Sequence, residues 1–477
     1  MISRSIAAIG VAIVVSLATL TTAAAQSSSD PIGLAALRLR DPTLIGTGVN
    51  VAQVEAGGFS FEVNPAAVEQ RESLFTWISS SGTATTFPNS IGGESGHANE
   101  VGRNFYGQNG GVAPGVQHVD NYEAGYFYNN FIAGQKDIGV RIVNQSFIFS
   151  TATAADQRAL NAVYDRYVVT WNTIFVSGVG NGGSPNPPAT AYNGIAVAAF
   201  GGASSVGPTG DGRSKPDITA PAGATSFSTP LVSGAAGILV QAGNRDDGGI
   251  GTAAHAVDAR TVKALLLNGA VKPADWFHTT TSPLDPRYGA GILNVNQSHL
   301  QLQGGEHSFS AMSATTATPP AGPDVESLVG WDYGFIETPT VRRGFTVTAP
   351  SKTHHYYFTL TGEQPYTLTS TLTWFGRYDI GTNSTVLNNL DLVLLRMSDN
   401  TQQAISASTV DNVEHLFVNG LTPGRYALQV VKQGSLTQVS SDETYAVAFA
   451  FTAVPEPSSM LLLVAGTLAL AGRRRRP

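Results

Sequence analysis

The stretch ATSFSTPLVSGAAGILV, residues 224–240, carries the strongest structural signal in the chain. Four hydroxyl residues crowd against Pro230, and an apolar run rich in Gly and Ala follows. Because Pro is tolerated in the first turn of a helix, the stretch predicts a loop that enters a buried helix. The hydroxyls then have two interpretations. They either cap the free N–H groups at the helix start, or they include a nucleophile placed where those groups stabilise negative charge.

The region around this stretch, from Thr47 to about Gln303, alternates between two hydrophobic patterns. Apolar runs typical of buried strands occupy residues 48–56, 139–147, 172–180 and 194–200. Patterns typical of helices occupy residues 97–107, 154–168, 228–243 and 258–270. Such alternation predicts an α/β domain in which helices cover both faces of a parallel sheet. Active sites of such sheets lie beyond the carboxyl ends of the strands.

Four polar side chains are predicted at that edge of the sheet. Glu55 ends the first strand, His97 opens a helix, Asn181 follows the third strand, and Ser226 enters the Gly/Ala-rich helix. Each has an ordinary interpretation of its own: a solvated strand end, a structural histidine, a turn residue and a helix cap. Together they supply the carboxylate, imidazole, carboxamide and hydroxyl that acyl-transfer catalysis uses.

Seven segments resemble those of the subtilisin-family (subtilase) serine proteases, in the family's order, over residues 47 to about 297. They are GTGVNVAQVEAGG, GHANEVG, GGVAPGV, VNQSF, IFVSGVGNGG, KPDITAPAGATSFSTPLVSGAAGIL and RYGAGILNV. The resemblance implies a catalytic triad of Glu55, His97 and Ser226, with Asn181 in the oxyanion hole. It implies substrate-binding positions at Asn144, Ser146, Gly178 and Gly180.

The sequence departs from the family's pattern at three positions. Glu55 stands where the family has Asp, Ala224 replaces the Gly that opens the serine motif, and Ile148 replaces the Gly that ends the peptide-binding motif. Glu94, three residues before His97, is the alternative acid, although a nearby helix residue rarely faces the imidazole from the required side. Ile148 is expected to narrow the substrate cleft.

The resemblance therefore implies a serine endopeptidase that hydrolyses peptide bonds of protein or peptide substrates without a catalytic cofactor. Structural calcium is common in the family, but the sequence assigns it no ligands. Two alternatives remain open. One is a non-catalytic surface or matrix protein on a decayed protease fold, which the Glu55 and Ile148 departures motivate. The other is an esterase, because the same triad chemistry cleaves esters.

The composition and the hydrophobic pattern change after residue 303. Residues 31–303 are assigned to the peptidase domain, and residues 304–335, rich in Ser, Thr, Ala, Pro and Gly, to a linker or peripheral loop. Residues 336–453 show period-two alternation between turn signals, which predicts an all-β sandwich. This part resembles the jelly-roll modules that follow the catalytic domain in many secreted subtilases.

The two ends of the chain have targeting signals. Residues 1–25 combine Arg4, an apolar stretch and a small-residue cleavage site, as secretory signal peptides do. Residues 454–477 contain Pro-Glu-Pro, a short apolar segment and an Arg cluster, and they resemble the PEP-CTERM sorting signal. That resemblance implies an exosortase-type processing enzyme as partner. It also implies transient inner-membrane association and delivery to the cell surface or matrix of a Gram-negative bacterium.

Composition excludes two further classes of interaction. The end segments 1–25 and 458–477 hold five Arg and no acidic residues, so their removal changes the net charge from −7 to −12. An acidic surface repels phosphate backbones, and nucleic acid is therefore not an expected partner. The chain contains no Cys, which excludes disulfides and thiolate metal sites.

Overall fold

A computed structural model of the chain describes residues 30–454, apart from 151–152, 250–252, 338–339, 343–344, 348–351 and 435–438. The side chains of residues 340–342 and 345–347 are not described. The predicted signal peptide lies outside the described residues, as does the predicted sorting segment after Val454. Across the described ranges, no helix is long and apolar enough to cross a membrane.

The first part of the chain contains ten strands and eight α-helices among the described residues. The strands are β1 (Asn50–Glu55), β2 (Ser60–Glu62), β3 (Phe75–Ser79), β4 (Gly82–Ala84), β5 (Gly93–Glu94), β6 (His118–Glu123), β7 (Ile142–Gln145), β8 (Ile174–Gly178), β9 (Ile195–Phe200) and β10 (Ile218–Pro221). The helices are α1 (Leu34–Arg40), α2 (Gly96–Phe105), α3 (Ala124–Phe127), α4 (Ala154–Trp171), α5 (Thr225–Asn244), α6 (Ala253–Ala256), α7 (Ala259–Asn268) and α8 (Val295–Gln303).

Eight of these strands form one sheet in the order β10-β9-β8-β7-β1-β6-β3-β4. All neighbours are parallel except β3 and β4. β1 lies between β6 and β7, so Val54 has Tyr122 on one side and Gln145 on the other. A crevice opens where strands on either side of a central strand connect in different directions. The carboxyl end of β1, at Glu55, is such a position.

The predicted strands and helices of this part are confirmed. β8 is buried along its whole length, because a parallel strand that is covered on both faces reads as a continuous apolar run. The Gly/Ala-rich α5 is buried from Ser228 to Gly243 apart from Leu231, and its small side chains permit close contact with the sheet. The α/β fold class predicted from the alternating patterns is therefore correct.

The second part of the chain consists of antiparallel strands. They are β11 (Ala311–Ser313), β12 (Val329–Glu337), β13 (Thr340–Arg342), β14 (Phe345–Val347), β15 (Thr353–Leu360), β16 (Tyr366–Trp374), β17 (Arg377–Asp379), β18 (Ser384–Val386), β19 (Asn389–Arg396), β20 (Thr401–Ser406), β21 (Val413–Leu421), β22 (Gly424–Gln433) and β23 (Asp442–Ala453). One sheet has the order β11-β15-β22-β19-β20, and another has the order β12-β23-β16-β21. The all-β C-terminal region is confirmed.

The core of the β-region is made of large side chains from both sheets, among them Phe358, Leu372 and Leu394. Residues 304–335, which the sequence analysis assigns to a linker or peripheral loop, contribute all of β11 and most of β12 to these sheets. The segment reads as a linker because both strands are flanked by Ser, Thr, Pro and Gly. Its strands become recognisable only through their partners.

The β-region packs directly on the α/β region, and both lie in one compact unit, Gln26–Ala453. Asn268, at the end of α7, is buried and accepts hydrogen bonds from the hydroxyls of Thr369 and Thr371 of β16, each at 3.0 Å. Its Nδ2 donates to Gln301 Oε1 at 2.7 Å. A buried carboxamide thus joins α7, α8 and the sheet that contains β16.

α1 closes the α/β region at the amino-terminal side by packing on α8. The Asp30 carboxylate accepts from the N–H groups of Ala35 and Ala36 in α1. Arg40 contacts His299 Nδ1 at 3.0 Å and donates to Gln303 Oε1 at 2.9 Å. The beginning of the described chain is therefore held by the last helix of the α/β region.

Candidate active site

Glu55 and His97 form a close pair at the carboxyl end of β1. The Glu55 side chain is buried, and its Oε2 lies 2.7 Å from His97 Nδ1. Because an ionised carboxylate only accepts hydrogen bonds, Nδ1 carries the proton and Nε2 remains free to accept one. The hydrogen bond to Glu55 raises the pKa of His97 above its ordinary value, against the opposite effect of burial.

His97 owes its position to the start of α2. Ser95 caps this helix, since its hydroxyl accepts from the Ala98 N–H at 3.2 Å. His97 is the second helical residue, and its side chain remains 38% exposed. The ring is therefore bound to the protein on one edge and open to solvent on the other, as a group that exchanges protons with a substrate must be.

Ser226 occupies the first turn of α5. Ala224 is extended, and its carbonyl accepts from the N–H groups of Phe227 and Ser228, which starts the helix. The Phe227 ring lies 5.8 Å from the His97 ring, centroid to centroid, so the imidazole faces this turn. The Ser226 hydroxyl donates to the Ser146 carbonyl at 3.3 Å, and no hydrogen bond joins it to His97 among the residues described.

Asn181 also lies against the first turn of α5. Its Oδ1 accepts from the N–H and from the hydroxyl of Thr225, both at 2.9 Å. This pairing determines which end of the carboxamide faces the helix, so Nδ2 with its two N–H donors points away from Thr225. The first N–H groups of a helix lack partners within it. The Ser226 N–H and Asn181 Nδ2 are thus both donors at this turn.

Asn144 and Ser146 support the serine turn from β7 and the residue after it. Asn144 is fully buried; its Nδ2 donates to Ser146 Oγ at 3.0 Å, and its Oδ1 accepts from Ser233 Oγ at 2.9 Å. The Ser146 hydroxyl donates to the Ser226 carbonyl at 2.9 Å. The Asn144 side chain therefore holds other residues in place and does not reach the surface.

Gly178 and Gly180 permit close approach at the end of β8. A Cβ on Gly178 would lie 3.0 Å from Thr229 Oγ1 and 3.2 Å from Thr225 Oγ1, so the missing side chain lets α5 reach the strand. Gly180 has φ +102°, a conformation that favours Gly, and its carbonyl accepts from the Ser205 N–H at 2.7 Å.

The other two residues that the sequence analysis weighed have clear positions. Glu94 is exposed and accepts from Asn99 Nδ2 at 2.7 Å, so the carboxylate that contacts His97 is Glu55 and not Glu94. Ile148 is 42% exposed and lies beside Gly180. No group of three His, Cys, Asp or Glu side chains in the described ranges is arranged to hold a metal ion.

Sequence reasoning missed Gln53, which contacts Glu55, and Tyr106, which contacts Gln53. Gln53 donates to Glu55 Oε1 at 2.8 Å, and the Tyr106 hydroxyl donates to Gln53 Oε1. A glutamine inside an otherwise apolar strand was the available signal, because a buried carboxamide requires hydrogen-bond partners.

Two segments of the chain match models of known protein families or motifs. Residues 82–301 match the model of the subtilase family (Peptidase_S8), a range that includes His97, Asn181 and Ser226 but not Glu55. Residues 453–476 match the PEP-CTERM protein-sorting motif. No curated protein sequence matches the chain significantly.

The solved structures that the chain resembles include two proteases and a macrocyclase. Prenylagaramide maturation protease PagA is 21% identical, with 57% of this chain and 99% of that chain covered and a TM-score of 0.41. The PatG macrocyclase is 16% identical, with 57% and 96% covered and a TM-score of 0.41. Sedolisin, a serine-carboxyl proteinase of Pseudomonas, is 15% identical, with 54% and 93% covered and a TM-score of 0.37. The chain is therefore similar to the subtilase family over residues 82–301 and to the PEP-CTERM protein-sorting motif over residues 453–476, with a β-rich region between the two.

Proposed function

We propose that this protein is an exported serine endopeptidase in which Ser226 is the nucleophile, His97 the general base and Glu55 the acid of the triad. The observation that carries the proposal is the 2.7 Å contact between Glu55 Oε2 and His97 Nδ1 beside the first turn of α5, on which Ser226 lies. The match to the subtilase family over residues 82–301 supports the class of enzyme.

The reaction follows from the chemistry of these groups. Ser226 Oγ attacks the carbonyl carbon of the peptide bond while His97 Nε2 takes the hydroxyl proton, which it then gives to the leaving amine. Water then attacks the carbonyl carbon of the acyl-enzyme while His97 Nε2 takes a proton from it. His97 returns this proton to Ser226 Oγ as the acid product leaves. Glu55 holds the imidazole in the tautomer with a proton on Nδ1 and stabilises the imidazolium.

The developing oxyanion would be bound by Asn181 Nδ2 and the Ser226 N–H. One such donor contributes about 3–4 kcal/mol to transition-state stabilisation. Catalysis also requires the Ser226 hydroxyl to leave the Ser146 carbonyl and turn towards His97 Nε2. This change involves a rotation about the Cα–Cβ bond of Ser226, and catalytic hydrogen bonds often form only when substrate is bound.

Substrate would bind along the residues that follow β7 and β8. The proposed role of Asn144 and Ser146 is to support the serine turn. Gly178 would admit α5 beside the substrate-binding segment, and Gly180 would leave space for a peptide backbone. Ile148, exposed beside Gly180, would restrict the size of the side chain accepted there. The reaction needs no catalytic cofactor.

We also propose that the protein is exported through its signal peptide, held briefly at the inner membrane by the short apolar tail, and released to the surface by an exosortase-type enzyme. The match of residues 453–476 to the PEP-CTERM motif supports this route.

A fluorophosphonate probe tests the nucleophile directly, because it reacts with activated serines. The wild-type protein should be labelled and should cleave a peptide library, whereas Ser226→Ala should do neither while its circular dichroism is unchanged. Ser228→Ala is the matched control: this hydroxyl lies in the same helix, is buried and donates only to the Thr225 carbonyl. It should keep the labelling.

The competing proposal is a non-catalytic protein on the same fold. The observation that favours it is the Ser226 hydroxyl bound to the Ser146 carbonyl instead of His97. Absence of labelling in the folded wild-type protein would support this alternative and refute the endopeptidase. Equal labelling of wild type and Ser226→Ala would refute Ser226 as the nucleophile.

A further inference from the structure

Gln53 lies two residues before Glu55 on β1, so both side chains point to the same face of the sheet. Gln53 is completely buried. Its Nε2 donates to Glu55 Oε1 at 2.8 Å and to the carbonyl of Ala98 at 2.9 Å. Ala98 directly follows His97 in α2, and Gln53 therefore bridges the strand that bears the acid and the helix that bears the histidine.

Tyr106 determines the orientation of the Gln53 carboxamide. This tyrosine is the residue after α2, is completely buried, and donates its hydroxyl hydrogen to Gln53 Oε1. Burial and the nearby charge of Glu55 raise the pKa of Tyr106 well above its ordinary value, so the phenol keeps its proton. A Cβ on Gly102 would lie 2.9 Å from the Tyr106 hydroxyl oxygen, so Gly102 leaves the room that the hydroxyl needs.

The opposite orientation of the carboxamide is excluded by its neighbours. If Gln53 were turned by 180°, its Oε1 would face the carboxylate of Glu55 and the carbonyl of Ala98, both of which only accept hydrogen bonds. The partners therefore permit one arrangement, in which both N–H groups of Gln53 are used and its oxygen accepts from Tyr106.

A glutamate in this position needs such support more than an aspartate would. Its side chain has one more rotatable bond and can place the carboxylate in more positions, whereas a misplacement of about 1 Å at an active site costs on the order of 10²-fold in rate. Gln53 takes one carboxylate oxygen and leaves the other, Oε2, at 2.7 Å from His97 Nδ1.

We propose that Gln53 and Tyr106 are positioning residues that hold the Glu55 carboxylate against His97 and so make a glutamate work in the place of an aspartate. For catalysis this rests on the proposed function, since it assigns Glu55 to the triad. The contact between Glu55 and His97 does not depend on that assignment, and it can be measured separately.

The first test compares Tyr106→Phe and Gln53→Leu with the wild-type protein by NMR of ¹³C-labelled histidine. Both variants loosen the carboxylate, so the pKa of His97 should fall towards its ordinary value. Tyr164→Phe is the matched control. It removes another buried hydroxyl that bonds to a strand glutamine, Gln145 at 2.9 Å, without a link to Glu55. The control should leave the pKa of His97 unchanged.

The second test measures kcat and KM of peptide cleavage. Tyr106→Phe should lower kcat by about 10-fold and Gln53→Leu by about 10²-fold, with KM within twofold of the wild-type value, because substrate contacts are untouched. In a Glu55→Gln background, Tyr106→Phe should cause no further loss, since residues that act as a unit are not additive.

The outcomes separate this inference from the proposed function. An unchanged pKa of His97 in both variants, or equal losses of kcat in the presence and absence of the Glu55 carboxylate, would overturn the positioning role. A wild-type protein that is not labelled by fluorophosphonate would refute the endopeptidase, and the NMR comparison would still decide the role of Gln53 and Tyr106. If Gln53→Leu does not fold, Tyr106→Phe decides alone, because it removes a single oxygen atom.

Discussion

At the scale of single residues, the site depends on how a longer acid is accommodated at the end of β1. Glu55 ends its strand in register with Glu123 of β6, yet the two carboxylates serve different partners. Glu123 caps α3 through the N–H groups of Gly125 and Tyr126, whereas Glu55 divides its oxygens between His97 and Gln53. The charge nearest the imidazole is therefore supplied by a side chain that is held at both oxygens.

Two substitutions of Glu55 should show separately how the charge and the length of this side chain affect catalysis. Glu55→Gln discards the charge and should lower kcat by about 10⁴-fold, the order of loss known when a triad acid becomes an amide. Glu55→Asp keeps the charge and should lose no more than about 10²-fold. The measurement is kcat for the cleavage of a peptide substrate identified from the peptide library. Equal rates for the two variants would mean that another acid acts on His97.

The same variants should differ in pH dependence. His97 must be neutral to take a proton, and its hydrogen bond to Glu55 raises its pKa. In the wild-type protein, kcat/KM should therefore fall as the pH drops through a value above about 6.5, the ordinary pKa of histidine. In Glu55→Gln this acidic limb should move to lower pH. A limb that stays in place would contradict the assignment of His97.

The sequence predicts the four principal side chains because each follows a recognisable strand or opens a recognisable helix. The contacts among them needed the structure. Tyr106 lies 53 positions after Gln53, and no local pattern indicates that its hydroxyl returns to β1. Likewise, the buried position of Asn144 follows from the approach of α5 to β7, which the pattern of VNQSF does not contain.

At the scale of elements, prediction worked where strands are apolar and failed where polar side chains have structural partners. β6, with the sequence HVDNYE, was not predicted, although it is the direct neighbour of β1. Its Asn121 is buried because the side chain accepts from the Val63 N–H at 2.8 Å and donates to the Gln53 carbonyl at 3.2 Å. A buried polar side chain that bonds to backbone groups interrupts the apolar pattern of its strand. The strand is then not recognised from hydrophobicity.

The contact of α7 with β16 should stabilise both regions together. Asn268→Ala leaves the buried hydroxyl of Thr371 and the carboxamide of Gln301 without this partner. An unsatisfied buried polar group costs about 1–3 kcal/mol, so the free energy of unfolding should fall by about 3 kcal/mol. Circular dichroism and tryptophan fluorescence in urea should still report one common transition.

Thr367→Ala is the control for this contact. Thr367 is on the same face of β16, but its hydroxyl bonds to Asn419 at an exposed site, so the substitution should change the free energy of unfolding by less than about 0.5 kcal/mol. Separate transitions for the α/β and β-regions, or an equal effect of the two substitutions, would show that α7 does not couple them.

At the scale of the whole molecule, the two regions are joined by buried polar contacts. Asp411 of the β-region accepts from the Ser214 N–H at 2.7 Å, and Asn193 Nδ2 donates to the Gly376 carbonyl at 2.9 Å. Buried Asp165 accepts from Thr385 Oγ1 at 2.6 Å, and burial raises its pKa to about 6. The change in hydrophobic pattern along the sequence indicates two regions but does not indicate the interface between them. The residues that form these contacts are polar, and their partners are distant in sequence.

The sorting segment should be removed from the mature protein. Replacement of Pro455, Glu456 and Pro457 by Ala should prevent processing, so a longer form should accumulate in the inner-membrane fraction. Replacement of Ser458 and Ser459 by Ala, directly after Pro-Glu-Pro, should leave processing unchanged. Intact-mass measurement of the native surface protein is the decisive readout. A mature species that still contains Arg473–Arg476 would show that the tail is retained as an anchor.

The packing of α1 on α8 has a consequence for the order in which the chain can fold. Arg40 reaches His299 across 259 positions, so α1 lacks this partner until the α/β region is almost entirely synthesised. Contacts this distant in sequence are entropically expensive to close and slow the search for the native state. We therefore expect α1 to pack late in folding and to complete the α/β region instead of nucleating it.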